Sequence, residues 1–181
     1  IISADDAKIE QVKSDLIAQH DAAIQAIKIR YSEAAKAEGA NTIAQGNNAT
    51  ATGAQAISVG LDSKAEANNS IAQGNAANAK DVSSIAHGTS ATAHKESDIA
   101  IGTSSVANGT TTKPAPETRP NKSIPDERGV GSAIAMGKNA NAIGVSTIAV
   151  GQGAHASFDT ATAIGYLASA SKEDAIATGS K

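Results

Sequence analysis

Residues 69–88 read NSIAQGNAANAKDVSSIAHG, and the two Ser-Ile-Ala-x-Gly cores in this stretch end at Gly74 and Gly88, 14 residues apart. Working outward, Gly46, Gly60, Gly74, Gly88 and Gly102 keep that spacing. After a gap of 14 plus 21 residues it resumes at Gly137, Gly151, Gly165 and Gly179. A period held this long is the mark of a solenoid. Three residues before the glycines stand Ile43, Ile57, Ile71, Ile85, Ile99, Ile134, Ile148 and Ile176, with Thr162 the one exception. The next position holds Ala44, Ser58, Ala72, Ala86, Ala100, Ala135, Ala149, Ala163 and Ala177, nothing larger than Ser. Five residues past each glycine, Ala51, Ala65, Ala79, Ala93, Ala107, Ala142, Ala156 and Ala170 form a second unbroken column.

Side chains alternate along a strand, so Ile43 and Gln45 point one way while Thr42 and Ala44 point the other. If successive repeats stack as parallel strands, the two Ala columns face each other across a narrow interior and the Ile column lies outside. The glycines then supply the turn conformation, and the Asn, Ser and Thr around them suit turn chemistry. Nine turns at about 4.8 Å each give a rod of roughly 43 Å. A line of Ile on the outside is an apolar stripe that soluble monomers avoid. The expectation is therefore an intermolecular core of several thin rolls, with the eight Ile as the core residues.

Composition agrees with thin layers. The chain of 181 residues has 16 Gly but only two Tyr, one Phe, one Met and no Trp. The formal charge of −3 offers no basic footprint for nucleic acid. The absence of Cys excludes a disulfide framework and Cys-based metal or redox chemistry.

The second residue after each Ile shares its face and reads Gln45, Val59, Gln73, His87, Ile101, Met136, Val150, Ile164 and Thr178. Gln45, Gln73 and His87 would sit near a symmetry axis and must bond each other, water or a trapped anion. They set register as polar core layers do in coiled coils, or they form an axial anion site.

Residues 1–39 read as a helical segment. From Asp5 to Glu38 there is no Gly or Pro, and Ile9, Val12, Leu16, Ile24, Ile27, Tyr31 and Ala34 follow a coiled-coil seam with one stutter. Gly39 ends it, and residues 40–181 form the roll. Residues 111–131 interrupt the repeat and hold Pro114, Pro116, Pro120 and Pro125. Lys113, Glu117, Arg119, Lys122 and Arg128 make this an exposed charged loop, either a ligand contact, a brace on a neighbouring subunit or a tolerated insertion.

Chemistry is not indicated. His20, His87, His94 and His155 form no ligand motif, and no nucleophile elbow, phosphate loop, GxGxxG or calcium-binding repeat occurs. No catalytic, cofactor or metal residue is expected, and the chain reads as a non-enzyme.

The units NSIAQG at 69–74, SIAHG at 84–88, DIAIG at 98–102 and AIAMG at 133–137 resemble the head repeat of trimeric autotransporter adhesins, the YadA-like head. The resemblance covers 41–110 and 132–181. It implies a mainly β protein, a left-handed parallel β-roll assembled as a homotrimer on the outer membrane surface of a Gram-negative bacterium. It also implies attachment to collagen, fibronectin or laminin, or to immunoglobulin, host cells or other bacteria (autoagglutination). The unit at 69–74 is similar to the family's collagen-associated repeat, with Gln73 in place of the usual apolar residue. The membrane anchor is expected outside this stretch. The alternatives are a structural spacer of a surface fibre or an ice-binding solenoid. The latter would need a flat Thr array, whereas outward positions here mix Asn, Lys, Glu, His and Thr.

Overall fold

A computed structural model describes the backbone of residues 4–31, 34–109 and 132–180, in two units, 1–33 and 34–181. The first unit is a helix, Ala4–Tyr31. Its side chains from Lys8 to His20 are all exposed, including Ile9, Val12 and Leu16 of the predicted seam. The seam side chains of Ile24, Ile27 and Tyr31 lie outside the described residues.

The second unit is the roll. Each repeat contributes two short strands, and these pair with their equivalents in the neighbouring repeats to form two parallel nine-stranded sheets. One sheet carries the Ile-Ala-x strands, in the register Ile43↔Ile57, Ile57↔Ile71, Ile71↔Ile85 and onward. The other carries the x-Ala strands, in the register Ala51↔Ala65, Ala65↔Ala79 and onward. Except in the end strands, where Ala44 and Ala177 are half-buried and Ala37 is exposed, the inward Ala of both sheets are buried and form one continuous cluster. The outward residues of the same strands are half-buried or exposed. A strand of two or three residues is stable only because every backbone group pairs above and below, as in Ile57 N to Ser70 O at 2.9 Å and Gly74 N to Val59 O at 2.8 Å.

Two further inward columns complete the interior. One precedes the Ile (Ala56, Ser70, Ser84, Asp98, Ala133, Thr147, Ala161), and the other lies three residues past the Gly (Ala49, Ser63, Ala77, Ala91, Ser105, Ala140, Ala154). Hydroxyls are admitted here because each finds a nearby acceptor. Ser70 donates to the Ala67 carbonyl at 2.6 Å, Ser84 to Asp81 at 2.6 Å, and Thr147 to Gly144 at 3.0 Å.

The turns extend one expectation. They recur every seven residues, and the left-handed residue in each is the third of the turn. These residues are Asn41, Asn48, Gln55, Asp62, Asn69, Ala76, Ser83, Ser90, Ser97 and Ser104 before the insertion, and Asn139, Ser146, Gly153, Thr160, Leu167 and Asp174 after it. The column glycines open alternate turns with positive φ of their own, as expected, and serve the stacking as well. Gly74 has φ +136°, and a Cβ there would stand 2.6 Å from the Gly88 carbonyl oxygen of the next turn. The period glycine is thus required by close approach of two backbones as well as by its own φ.

The roll also begins earlier than residue 40. Lys36–Ala37 is a strand paired with Thr50–Ala51, and Lys36 N donates to Ala49 O at 2.8 Å. The helix ends by Tyr31, so the boundaries 1–39 and 40–181 move to 1–33 and 34–181. Ala-rich sequence favours helix, but here Ala35 and Ala37 stand 14 residues before Ala49 and Ala51 and extend their columns.

The insertion leaves the stack in register. Ile99 pairs with Ile134 and Val106 with Asn141, so the strands on either side meet as if the extra residues were absent.

Candidate binding surfaces

The two sheets present chemically opposite outer faces. On the Ile-bearing sheet the outward positions are the first and third residues of nine strands. None is Asp, Glu, Lys or Arg, and His87 is the one titratable group. The eight Ile of the predicted core stand in one line on this face. In the single chain they are half-buried by their neighbours above and below, except at the ends, where Ile43 is 52% and Ile176 75% exposed. Met136 and Ile164 of the second column are exposed as well.

Of the three polar residues expected together, the structure joins two. His87 Nδ1 lies 3.0 Å from Gln73 Oε1, one turn away, and both side chains are exposed. An amide oxygen can only accept, so the imidazole Nδ1–H donates. Gln45 is separated from this pair by Val59, which lies between Gln45 and Gln73 in the register.

The opposite sheet turns Lys36, Glu38, Lys64, Glu66, Lys80 and His94 outward among Thr and Asn in its first five strands, and Val106, Asn141, Ile143, His155 and Ser169 in its last four. The Lys80 ammonium donates toward His94 Nδ1 at 3.4 Å. Partial burial first, then the positive charges of Lys80 and Lys95, hold the His94 imidazole below its usual value, against an upward pull from Asp98. The turn edges carry a few exposed apolar residues, Leu61, Tyr166 and Leu167 on one side and Val82 and Phe158 on the other.

A residue that sequence reasoning passed over lies at the root of the insertion. Asp98 is the single charged residue of the inward columns and is fully buried. Its carboxylate accepts from the N–H of Lys95 (2.9 Å), Gly109 (3.0 Å) and Ala133 (2.7 Å). In a regular turn the residue equivalent to Ala133 donates to the carbonyl three residues back, as Ala161 does to Phe158 O at 3.0 Å. Asp98 takes that donor where the period breaks, and so ties Gly109 and Ala133, on either side of the insertion, to the turn beneath. Burial raises its carboxyl above the usual carboxylate value, while the backbone N–H groups pull it down. The available signal was an Asp in a column otherwise filled by Ala, Ser and Thr, one repeat before the period breaks.

The loop residues Lys113, Glu117, Arg119, Lys122 and Arg128 lie outside the described residues. Among the described residues no three His, Cys, Asp or Glu are grouped to hold a metal, and no helix is long and apolar enough to cross a membrane.

Comparison with known proteins bears directly on the repeat. No curated protein matches the chain. A family model, the YadA head domain repeat, matches residues 37–63, 65–91, 93–112, 131–154, 142–168 and 159–181. The first match begins at Ala37, inside the strand that opens the roll. With matches across almost all of the solenoid, and a stack of parallel strands in the same 14-residue frame, the chain belongs to the YadA head family, the heads of trimeric autotransporter adhesins.

Proposed function

We propose that this chain is a homotrimeric adhesin head in which the Ile-bearing sheets of three rolls face one another and the charged sheets face outward to bind host surfaces. The observation that supports it best is the contrast between the two outer faces. One has two outward positions on each of nine strands without a single Asp, Glu, Lys or Arg, and the other carries Lys36, Glu38, Lys64, Glu66 and Lys80. A sheet face open to water has no physical reason to exclude charge along its whole length, whereas a face buried against copies of itself must exclude it.

The outward sheet repeats a similar set of short polar side chains every 4.8 Å or so along the stack. Three such faces give many weak, equivalent contacts, and avidity then arises from their number. Collagen, fibronectin, laminin and immunoglobulin are the partners to try, and the charged loop at 111–131, with Lys113, Glu117, Arg119, Lys122 and Arg128, is the added contact. The chain works at the bacterial outer surface, carried by an anchor elsewhere in its fibre.

Light scattering on the isolated chain should give three times 17.9 kDa. Solid-phase binding should then detect at least one of the four partners, more weakly once residues 111–131 are deleted. A trimer that binds no matrix protein, immunoglobulin or host cell would mark this segment as a spacer and refute the adhesive reading.

A further inference from the structure

The roll has two turn edges, and they differ in charge. One is made of the turns that the period glycines open, and it borders the second outward column of the Ile-bearing sheet, as in Val59-Gly60-Leu61 and Ile164-Gly165-Tyr166. Among the described residues it carries two formal charges, Asp62 and Lys138, and Asp62 accepts from Asn48 Nδ2 at 3.0 Å. The other edge carries seven, at Asp81, Lys95, Glu96, Asp159 and the run 172–174. It is also where the insertion leaves and rejoins the roll, between Gly109 and Ala133. We propose that each roll of the trimer sets its glycine edge against a neighbouring copy and keeps the edge with the insertion toward solvent. The proposal rests on the trimeric reading above and adds a second contact surface to it.

The centre of a protein interface is depleted in Asp, Glu and Lys and enriched in aromatic side chains, because a charge buried there loses its water. The glycine edge meets that description. Toward its C-terminal end Ile164, Tyr166 and Leu167 are all exposed in the single chain, and they carry the apolar surface of the Ile-bearing face around the edge without a break. A Cβ on Gly153, in the turn beneath, would stand 2.6 Å from Leu167 Cδ2, so the glycine there leaves room for the Leu167 side chain to lie along the edge. Val59 and Leu61 repeat the connection nearer the other end. Turn length points the same way. From Gly46 to Gly165 the glycine edge keeps turns of one length, a straight ridge that a neighbouring copy can follow. The opposite edge takes up 21 additional residues in a single turn, while Ile99 still pairs with Ile134 and Val106 with Asn141. An edge packed against another roll has no room for such an addition, whereas an edge open to solvent admits both the addition and the charges. Val82 and Phe158 are exposed on that edge, each beside an Asp of its own turn.

The chain has no cysteine, so single thiols can report each edge separately. Thr89→Cys and Thr103→Cys place one on the glycine edge, and Val82→Cys and Glu96→Cys place one on the opposite edge, all at positions exposed in the single roll. Each is made in the full chain and again together with Ile99→Asp, the substitution expected to give a folded monomer, and light scattering establishes the oligomer of every variant. A bulky maleimide then labels them. The two glycine-edge thiols should react at least about tenfold more slowly in the trimer than in the monomer, because a thiol must be reached to react. The two thiols on the opposite edge should react equally fast in both. A trimer whose two edges label alike, or whose insertion edge is the protected one, overturns the assignment of edges and leaves the trimer standing. A wild-type chain that scatters as a monomer overturns the trimeric reading beneath it.

Discussion

Replacing Asp98 with Ala removes a carboxylate held by backbone N–H groups, and it should loosen the roll where the insertion leaves it. Three N–H groups, those of Lys95, Gly109 and Ala133, lose their acceptor. A buried donor left unpaired costs about 1–3 kcal/mol, so the gross loss is roughly 3–9 kcal/mol. Against it stands the relief of no longer burying a carboxylate, whose presence is unfavourable enough to raise its own titration value. Water reaching the opened turn offsets a further part. The net expectation is ~2–4 kcal/mol per chain, or a fall in Tm of roughly 5–15 °C in a chain of this size. Asp98→Asn keeps one acceptor oxygen but turns an NH2 toward a backbone N–H, so it should fall between Ala and wild type.

The pH dependence carries its own sign. The unfolded chain releases the Asp98 proton at the ordinary carboxylate value, and the folded chain releases it higher. Between those two values the folded state binds more protons, so the Asp98 contribution to stability declines as pH rises through the window and is flat above it. Asp98→Asn should abolish that slope. Thermal unfolding across acid pH measures it, and hydrogen exchange at the three amides locates it. Should Asp98→Ala leave Tm within a degree of wild type and the amides of Gly109 and Ala133 as protected as before, the reasoning fails.

Four further substitutions test the same geometry. Gly74→Ala places a Cβ 2.6 Å from the Gly88 carbonyl oxygen at φ +136°, and should cost ~3 kcal/mol or more in thermal unfolding, whereas Ala76→Asn, at φ +54°, should gain roughly 0.5–1 kcal/mol because Asn tolerates the left-handed region. Ile99→Asp places a carboxylate in the middle of the apolar face and should give a folded but monomeric roll by light scattering; an intact trimer would contradict burial of that face. Lys80→Gln removes one of the charges that hold the His94 imidazole down, so the His94 midpoint followed by NMR should move up toward its usual value, and an unmoved midpoint would count against the Lys80 contact.

The solenoid was legible in the sequence because its physics leaves one residue type per place. Only Ala or Ser fits between sheets this close, only Gly fits under the next Gly carbonyl, and Ile recurs where neither limit applies. The seven-residue turn period was hidden because the second turn opens with glycine in only some repeats. Gly39, Gly53 and Gly144 open it there, but Ala67, Asp81, Lys95, Phe158 and Lys172 do so elsewhere, and residues as unlike as Gln55, Ala76 and Leu167 take the left-handed position. The stack enforces that conformation through bonds such as Leu167 N to Gln152 O at 3.0 Å, so local propensity does not report it. The start of the roll was obscured for a related reason. Ala35 and Ala37 read as helix formers, and only their 14-residue offset from Ala49 and Ala51 marks them as the first members of the two columns.

Asp98 was barely legible for the opposite reason, since it obeys no column rule. Its partners are the N–H groups of Gly109 and Ala133 on either side of the insertion, and its one trace in the sequence is an Asp in a column of Ala, Ser and Thr. The same division governs where function can reside. Inward positions and column glycines are dictated by packing, and the Ile-bearing face carries no Asp, Glu, Lys or Arg. What remains free to vary is the outward face of the second sheet, with the turn edges beside it. There Lys, Glu, Asn, Thr and His change from one turn to the next without disturbing a single backbone bond. A solenoid built this way separates its two tasks by face: the invariant columns hold the rod together, and the irregular ones can be altered to suit a surface at almost no cost in stability.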